Sequence, residues 1–152
     1  MVNEGGVIIE GTWPRTRRRR VVVSSAQLLA LNATPIEIVP APGANLANIF
    51  RGALLRKPAG VAYAGIAAGE DLAINYTNGA GQEVAQCETT GFLDSTGNQI
   101  RWVQPHAATS GVSQITPVAN AILVIQLLVG EIITGDQPLE IEIAYDVVKT
   151  VP

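Results

Sequence analysis

In LEIEIAYDVV, residues 139–148, apolar and polar side chains alternate. Leu139, Ile141, Ile143, Tyr145 and Val147 share one face, and Glu140, Glu142, Ala144 and Asp146 share the other. A period of two over that length predicts a strand of an antiparallel sheet, with one face on the core and the other wet. The pattern recurs over 71–77, with Leu72, Ile74 and Tyr76 inward and Ala73 and Asn75 outward. Shorter cases are Ile36 and Ile38 around Glu37, and Ile100 and Trp102 around Arg101. The run AILVIQLLV, residues 121–129, is apolar on both faces. It predicts a central strand with the core on one side and a loop or a neighbouring subunit on the other. Its β-branched residues favour a strand over a buried helix. Further strands are expected at 20–24, 47–55, 61–64 and 83–88.

Turn chemistry separates these runs. Asn78-Gly79 with Gly81 marks a hairpin between the Tyr76 and Glu83 strands. Ser95-Thr96-Gly97-Asn98 and Thr134-Gly135-Asp136-Gln137-Pro138 punctuate later ones. HAATSGVSQITP, residues 106–117, has little pattern and reads as a long loop. One short helix is expected near 25–31, capped by Ser24 or Ser25, closed by Asn32 and Pro35, and seated through Leu28 and Leu31. No strand–helix–strand crossovers are evident, which excludes a doubly wound nucleotide fold. The expected class is all-β, an antiparallel β-sandwich of jelly-roll type. An immunoglobulin-like sandwich is the alternative, weakened by the missing Cys-Trp-Cys framework.

Size and composition suit one domain. The chain has 152 residues, 47% hydrophobic and only 15% charged, where about a quarter is usual. A surface partly covered in an assembly accounts for this, as does an exterior of uncharged polar residues. The charge is uneven. Residues 1–20 carry five arginines against Glu4 and Glu10, a net +3, while residues 21–152 carry five basic and eleven acidic groups, a net -6. The body therefore repels phosphate, and any nucleic-acid contact would fall to the first twenty residues. A single cysteine, Cys87, excludes an intrachain disulfide. The opening MVNEGGVII lacks the order of a signal peptide, and the longest apolar run is too short for a membrane helix. Synthesis in the cytosol and no membrane partner are the expectations.

Reactive chemistry is sparse. His106 is the sole histidine, so a metal centre or a base-activated nucleophile has few parts, and neither a cofactor nor catalysis is expected. Cys87 falls near the end of a strand, where a buried structural thiol is the ordinary outcome. Glu140 and Glu142 lie two apart on one strand face, roughly 7 Å. That is near a glycosidase spacing, but a solvated outer face explains it equally well. The glycine-containing stretches APGANL and AGIAAGE lack the Lys-Ser or Lys-Thr of a phosphate loop.

Arg15 and Arg17 to Arg20 stand just before the β-branched run that starts at Val21. The expectation is an extended basic arm over 1–20 and a sandwich domain over 21–152, the arm being dispensable for folding. Ile8, Ile9 and Trp13 would anchor it apolarly, and Arg15, Arg17, Arg18, Arg19 and Arg20 would pair with carboxylates of a partner protein. Phosphate contact and a merely solvated flank remain alternatives, as does a grip on the acidic body of a sister subunit.

The body also resembles a known group. SSAQLLALNATPIEIVPAPGANLANIF, GVAYAG, DLAINYTNGAG, NAILVIQLLVGEIITGD and LEIEIAYDVV are similar to segments of small structural proteins of tailed bacteriophages, a likeness spanning residues 21–148. Its most specific pieces are Leu31-Asn32-Ala33-Thr34-Pro35 with Ala41-Pro42-Gly43, and Ile143-Ala144-Tyr145-Asp146-Val147-Val148. The resemblance implies a non-enzymatic virion component: a jelly-roll decoration or cement protein on the capsid exterior, a homotrimer whose partner is the major capsid protein. The group also implies an alternative, a tail or fibre module that binds a host-surface glycan or protein, with a loop pocket around Trp102 and His106.

Overall fold

The computed structural model describes residues 15–106 and 114–151. Eight strands and one helix follow in the order β1 (Arg17–Val23), α1 (Ser25–Leu29), β2 (Ile36–Val39), β3 (Leu46–Lys57), β4 (Leu72–Tyr76), β5 (Glu83–Cys87), β6 (Gln99–Val103), β7 (Leu123–Leu127) and β8 (Leu139–Lys149). They form two four-stranded sheets, sheet A in the order β1-β8-β3-β6 and sheet B in the order β2-β7-β4-β5. All the pairings are antiparallel. The all-β class and the two-sheet sandwich expected from the alternation are therefore present.

The pairings β1–β8, β2–β7, β3–β6 and β4–β5 are nested. Chain order thus follows one long antiparallel ribbon, folded back at residues 77–82 and rolled so that β8 also meets β3 and β7 also meets β4. Gly81 permits the fold-back, because a Cβ there would lie 1.6 Å from the Tyr76 carbonyl oxygen.

The inner faces interlock in a single core. Leu139, Ile141 and Ile143 of β8, with Ala53 and Leu55 of β3, belong to one cluster with Leu72 and Ile74 of β4 and Leu123 and Ile125 of β7. Each buried aliphatic side chain of this size contributes roughly 1.5–3 kcal/mol. Helix α1 is shorter than expected, but its start follows the sequence. The Ser24 Oγ accepts from the Gln27 amide and the Gln27 side chain accepts from the Ser24 amide, a capping box. Leu28 and Leu31 are both fully buried.

Four expectations need correction. The first strand starts at Arg17 rather than near Arg20, so Arg17–Arg20 belong to sheet A and not to an arm. The 61–64 segment is not a strand; only Ala64 bridges, to Thr134. Ala73 and Asn75, expected outward and wet, are buried. The β4–β5 turn folds over this outer face, with the Asn75 amide donating to the Gly81 carbonyl and the Gln126 amide to the Gly79 carbonyl. Asp146, also expected wet, is buried and accepts from Arg51 Nε at 2.6 Å.

Lys57 is a further departure. It continues the core-facing row of Ala53 and Leu55 to the end of β3 and is fully buried there. Its Nζ donates to the carbonyls of Pro58, Ser95 and Gly97 at 3.2, 2.7 and 3.4 Å. Burial pushes its pKa down, while Asp136 and Asp94 pull it upward. The ammonium thereby ties the 58–60 segment to the 95–98 turn. Lys57→Met keeps the stem and leaves three carbonyls without their donor. It should lower the stability read by urea unfolding by about 2–4 kcal/mol; a loss below about 1 kcal/mol would show that the tie is unimportant.

Candidate interaction surface

The outer face of sheet A is built in rungs, because paired residues on antiparallel neighbours point the same way. Val22, Glu140, Arg56 and Ile100 form one rung across β1, β8, β3 and β6. Arg20, Glu142, Leu54 and Trp102 form the next, followed by Arg18, Ala144 and Gly52.

The carboxylate column on β8 lies between cation columns. Arg20 Nη2 is 2.5 Å from Glu140 and Arg18 Nη1 is 3.7 Å from Glu142. From β3, Arg56 reaches Glu140 at 3.0 Å and Glu142 at 3.2 Å. The spacing of two that suggested paired catalytic carboxylates thus serves a five-residue ionic ladder. Each exposed pair is worth little, about 0–1 kcal/mol, but the ladder fixes β1 in register on β8. Three arginines against two glutamates leave this face with one excess positive charge.

Apolar residues flank the ladder. Val22, Ile100 and Trp102 are 56%, 57% and 60% exposed. Trp102 leans over β3 in the space that Gly52 leaves, since a Cβ on Gly52 would sit 3.1 Å from the indole ring. The indole, Arg18, Leu54 and Glu142 border a shallow depression of about 210 Å³. A larger groove of about 560 Å³ runs along the first rung, with Val22, Ile100, Pro58 and Pro138 as its apolar wall.

The expected contact residues are thus divided. Ile8, Ile9 and Trp13 lie outside the described residues. Arg15 is exposed just before β1. Arg18 and Arg20 are on the outer face and already paired. Arg19, on the opposite face of β1, lies 4.0 Å from Glu37 of β2 and spans the two sheets. Arg17 shares that side, opposite Tyr145. The arginine run is therefore in large part a structural edge strand, and its charge also disfavours edge-to-edge pairing.

The other candidates separate as well. His106 donates its backbone N–H to Val84 of sheet B and places Nε2 3.5 Å from Glu83, whereas Trp102 faces out from sheet A. Cys87 is buried at the far end of β5 from Glu83, about 13 Å along a strand. Burial pushes its thiol up to about 11, despite the opposing pull of Arg101. A thiol so protonated is not poised as a nucleophile. Among the described residues, no three His, Cys, Asp or Glu side chains converge as metal ligands.

Sequence reasoning missed Leu54 and Val22 as surface residues, and Lys57 altogether. The signal for the ladder was present: Arg18 and Arg20 have the same spacing of two as Glu140 and Glu142. No family model, curated protein or solved structure matches the chain.

Proposed function

We propose that this chain is a small structural protein of a bacteriophage virion, an eight-stranded jelly roll that attaches to the exterior of the head and cements adjacent shell subunits. The observation that carries this reading is the outer face of sheet A. It is broad and open, and it exposes Trp102, Ile100 and Val22 beside an ionic ladder with one excess positive charge. Such a face suits contact with another protein surface, with an aromatic anchor inside a polar rim.

Two further points support it. The nested pairings and the sheet orders 1-8-3-6 and 2-7-4-5 fit a ribbon rolled into two Greek keys. The likeness to phage structural proteins covers residues 21–148 and includes the β8 segment that carries the glutamate column. The major capsid protein is then the partner, and a homotrimer would multiply individually weak contacts by avidity. No reaction is needed; burial of apolar area between shell subunits does the work.

A second reading, a tail or fibre module for a host glycan or protein, draws support from Trp102 beside Arg18 and Glu142, since an exposed indole next to polar groups also suits a sugar ring. Cosedimentation with empty phage heads tests the first. Trp102→Glu should leave the circular dichroism spectrum unchanged and reduce head occupancy at least about tenfold, the loss of one anchoring residue. Unchanged occupancy, or binding to host cells instead of heads, would overturn it. Added salt should weaken the arginine contribution and leave the apolar one.

A further inference from the structure

We infer that the groove along the first rung of sheet A is a docking site for residues 4–10 of a second copy of this chain. This goes beyond the virion reading and stands or falls without it.

The groove's polar groups are mostly occupied. Lys57 is held by three carbonyls, the Asn98 side chain accepts from the Ala59 amide, and Gln99 is bonded to Ser95 and Arg101. What remains open is the apolar wall of Val22, Ile100, Pro58 and Pro138. Arg20 and Arg56 outnumber Glu140 there, leaving an excess of one positive charge, because the Lys57 ammonium is turned inward. The fitting ligand is an extended, apolar and acidic peptide.

This chain contains such a peptide. In MVNEGGVIIEGTWP, residues 1–14, the only charged side chains are Glu4 and Glu10, and Val7, Ile8 and Ile9 lie between them. Val22 and Ile100 stand three strand spacings apart, about 14 Å, which four or five extended residues span. Val7 to Ile9 would lie along the middle of the wall, and Glu4 and Glu10 would set negative charge toward its ends, beside Arg20 and Arg56.

Reach favours a second copy over the same one. Val22 is five residues beyond Arg17, about 17 Å along β1. A tight reversal calls for glycine, and the nearest upstream is Gly11, six residues before Arg17. Pro14 favours extended backbone at itself and at the residue before it. A chain turning at Gly11 would have to return about 37 Å and regains only about 10 Å by Ile8, at 3.3 Å per residue.

Disulfide trapping in the free protein tests this. Two full-length variants, Ile9→Cys and Ile100→Cys, are mixed and mildly oxidised, with the buried Cys87 left in place. The control mixture pairs Ile9→Cys with Val61→Cys, an exposed site outside the groove. The groove mixture should yield at least about ten times more two-chain product, because docking raises the local thiol concentration. Adding Val22→Glu to the Ile100→Cys chain should bring the yield down to the control. Equal yields in groove and control mixtures, no effect of Val22→Glu, or a link that forms only within one chain carrying both cysteines would each overturn the inference. Heads are absent from the assay, so a negative result leaves shell attachment untouched.

Discussion

A chain shortened to begin at Val21 should lose about 5 kcal/mol of stability, a third or more of the roughly 5–15 kcal/mol usual for a domain, whereas one beginning at Arg15 should unfold cooperatively in urea like the full chain. The sequence suggests that residues 1–20 are dispensable for folding, and the pairing of Arg17–Arg20 with β8 argues against that. Seven residues of β1 pair with β8, and four of them are Arg17–Arg20. Removing those four strips ladder hydrogen bonds worth about 1 kcal/mol each. It also uncovers the edge of β8 beside Ile143 and Tyr145, and it leaves Glu140 and Glu142 with Arg56 as their remaining partner in the ladder. Equal urea midpoints for the two truncated chains would show that β1 contributes little and that the basic run is an appendage after all.

Alkaline pH should unfold the protein between about pH 10 and 12. Tyr63 and Tyr76 are fully buried, and their hydroxyls donate to the carbonyls of Gln137 and Asn48. Burial pushes both phenols up to about 12, with Asp136 adding to the effect at Tyr63. Because the folded-state values lie above the unfolded value near 10, the folded state holds these protons more tightly. The stability linked to them is fully present below pH 10 and is lost as pH rises toward 12. Two groups raised by about two units each give roughly 5 kcal/mol between them, at 1.36 kcal/mol per unit. Lys57 works in the other direction, since its lowered value means that the folded state sheds that proton first. One buried lysine does not offset two phenols. Absorbance at the phenolate band should rise together with the loss of circular dichroism, and Tyr76→Phe should move the transition to higher pH. Ionisation of these phenols near pH 10 with the fold intact would contradict the assignment.

The elements most legible in the sequence are those whose environment repeats along the chain. Leu139, Ile141 and Ile143 face the core as the period of two requires, Ser24 caps α1, and Asn78-Gly79 lies in the turn joining β4 to β5. The run over 121–129 was read as covered on both faces, and its central part, β7, is buried throughout within sheet B. Less legible was anything depending on a neighbour distant in sequence. Asn75 and Asp146 alternate with apolar residues and read as wet, yet the β4–β5 turn encloses the first and Asp146 is buried against Arg51.

The candidate surface divides along the same line. Alternation placed Ile100 and Trp102 on one face of β6, but it did not say whether that face was inward; pairing with Arg56 and Leu54 turns it outward. Composition gave the charge asymmetry and the scarcity of reactive groups. The arginine run looked like an arm because four like charges have no local reason to form a strand. Only register against β8 supplies one, by setting Arg18 and Arg20 beside Glu142 and Glu140, more than a hundred residues away. Sequence alone determined most of the strands, the cap and the turn, because these follow from backbone preference and from side-chain periods of a few residues. Tertiary structure decided which faces are covered and which charges meet, because burial and ion pairing depend on distances that chain order does not encode.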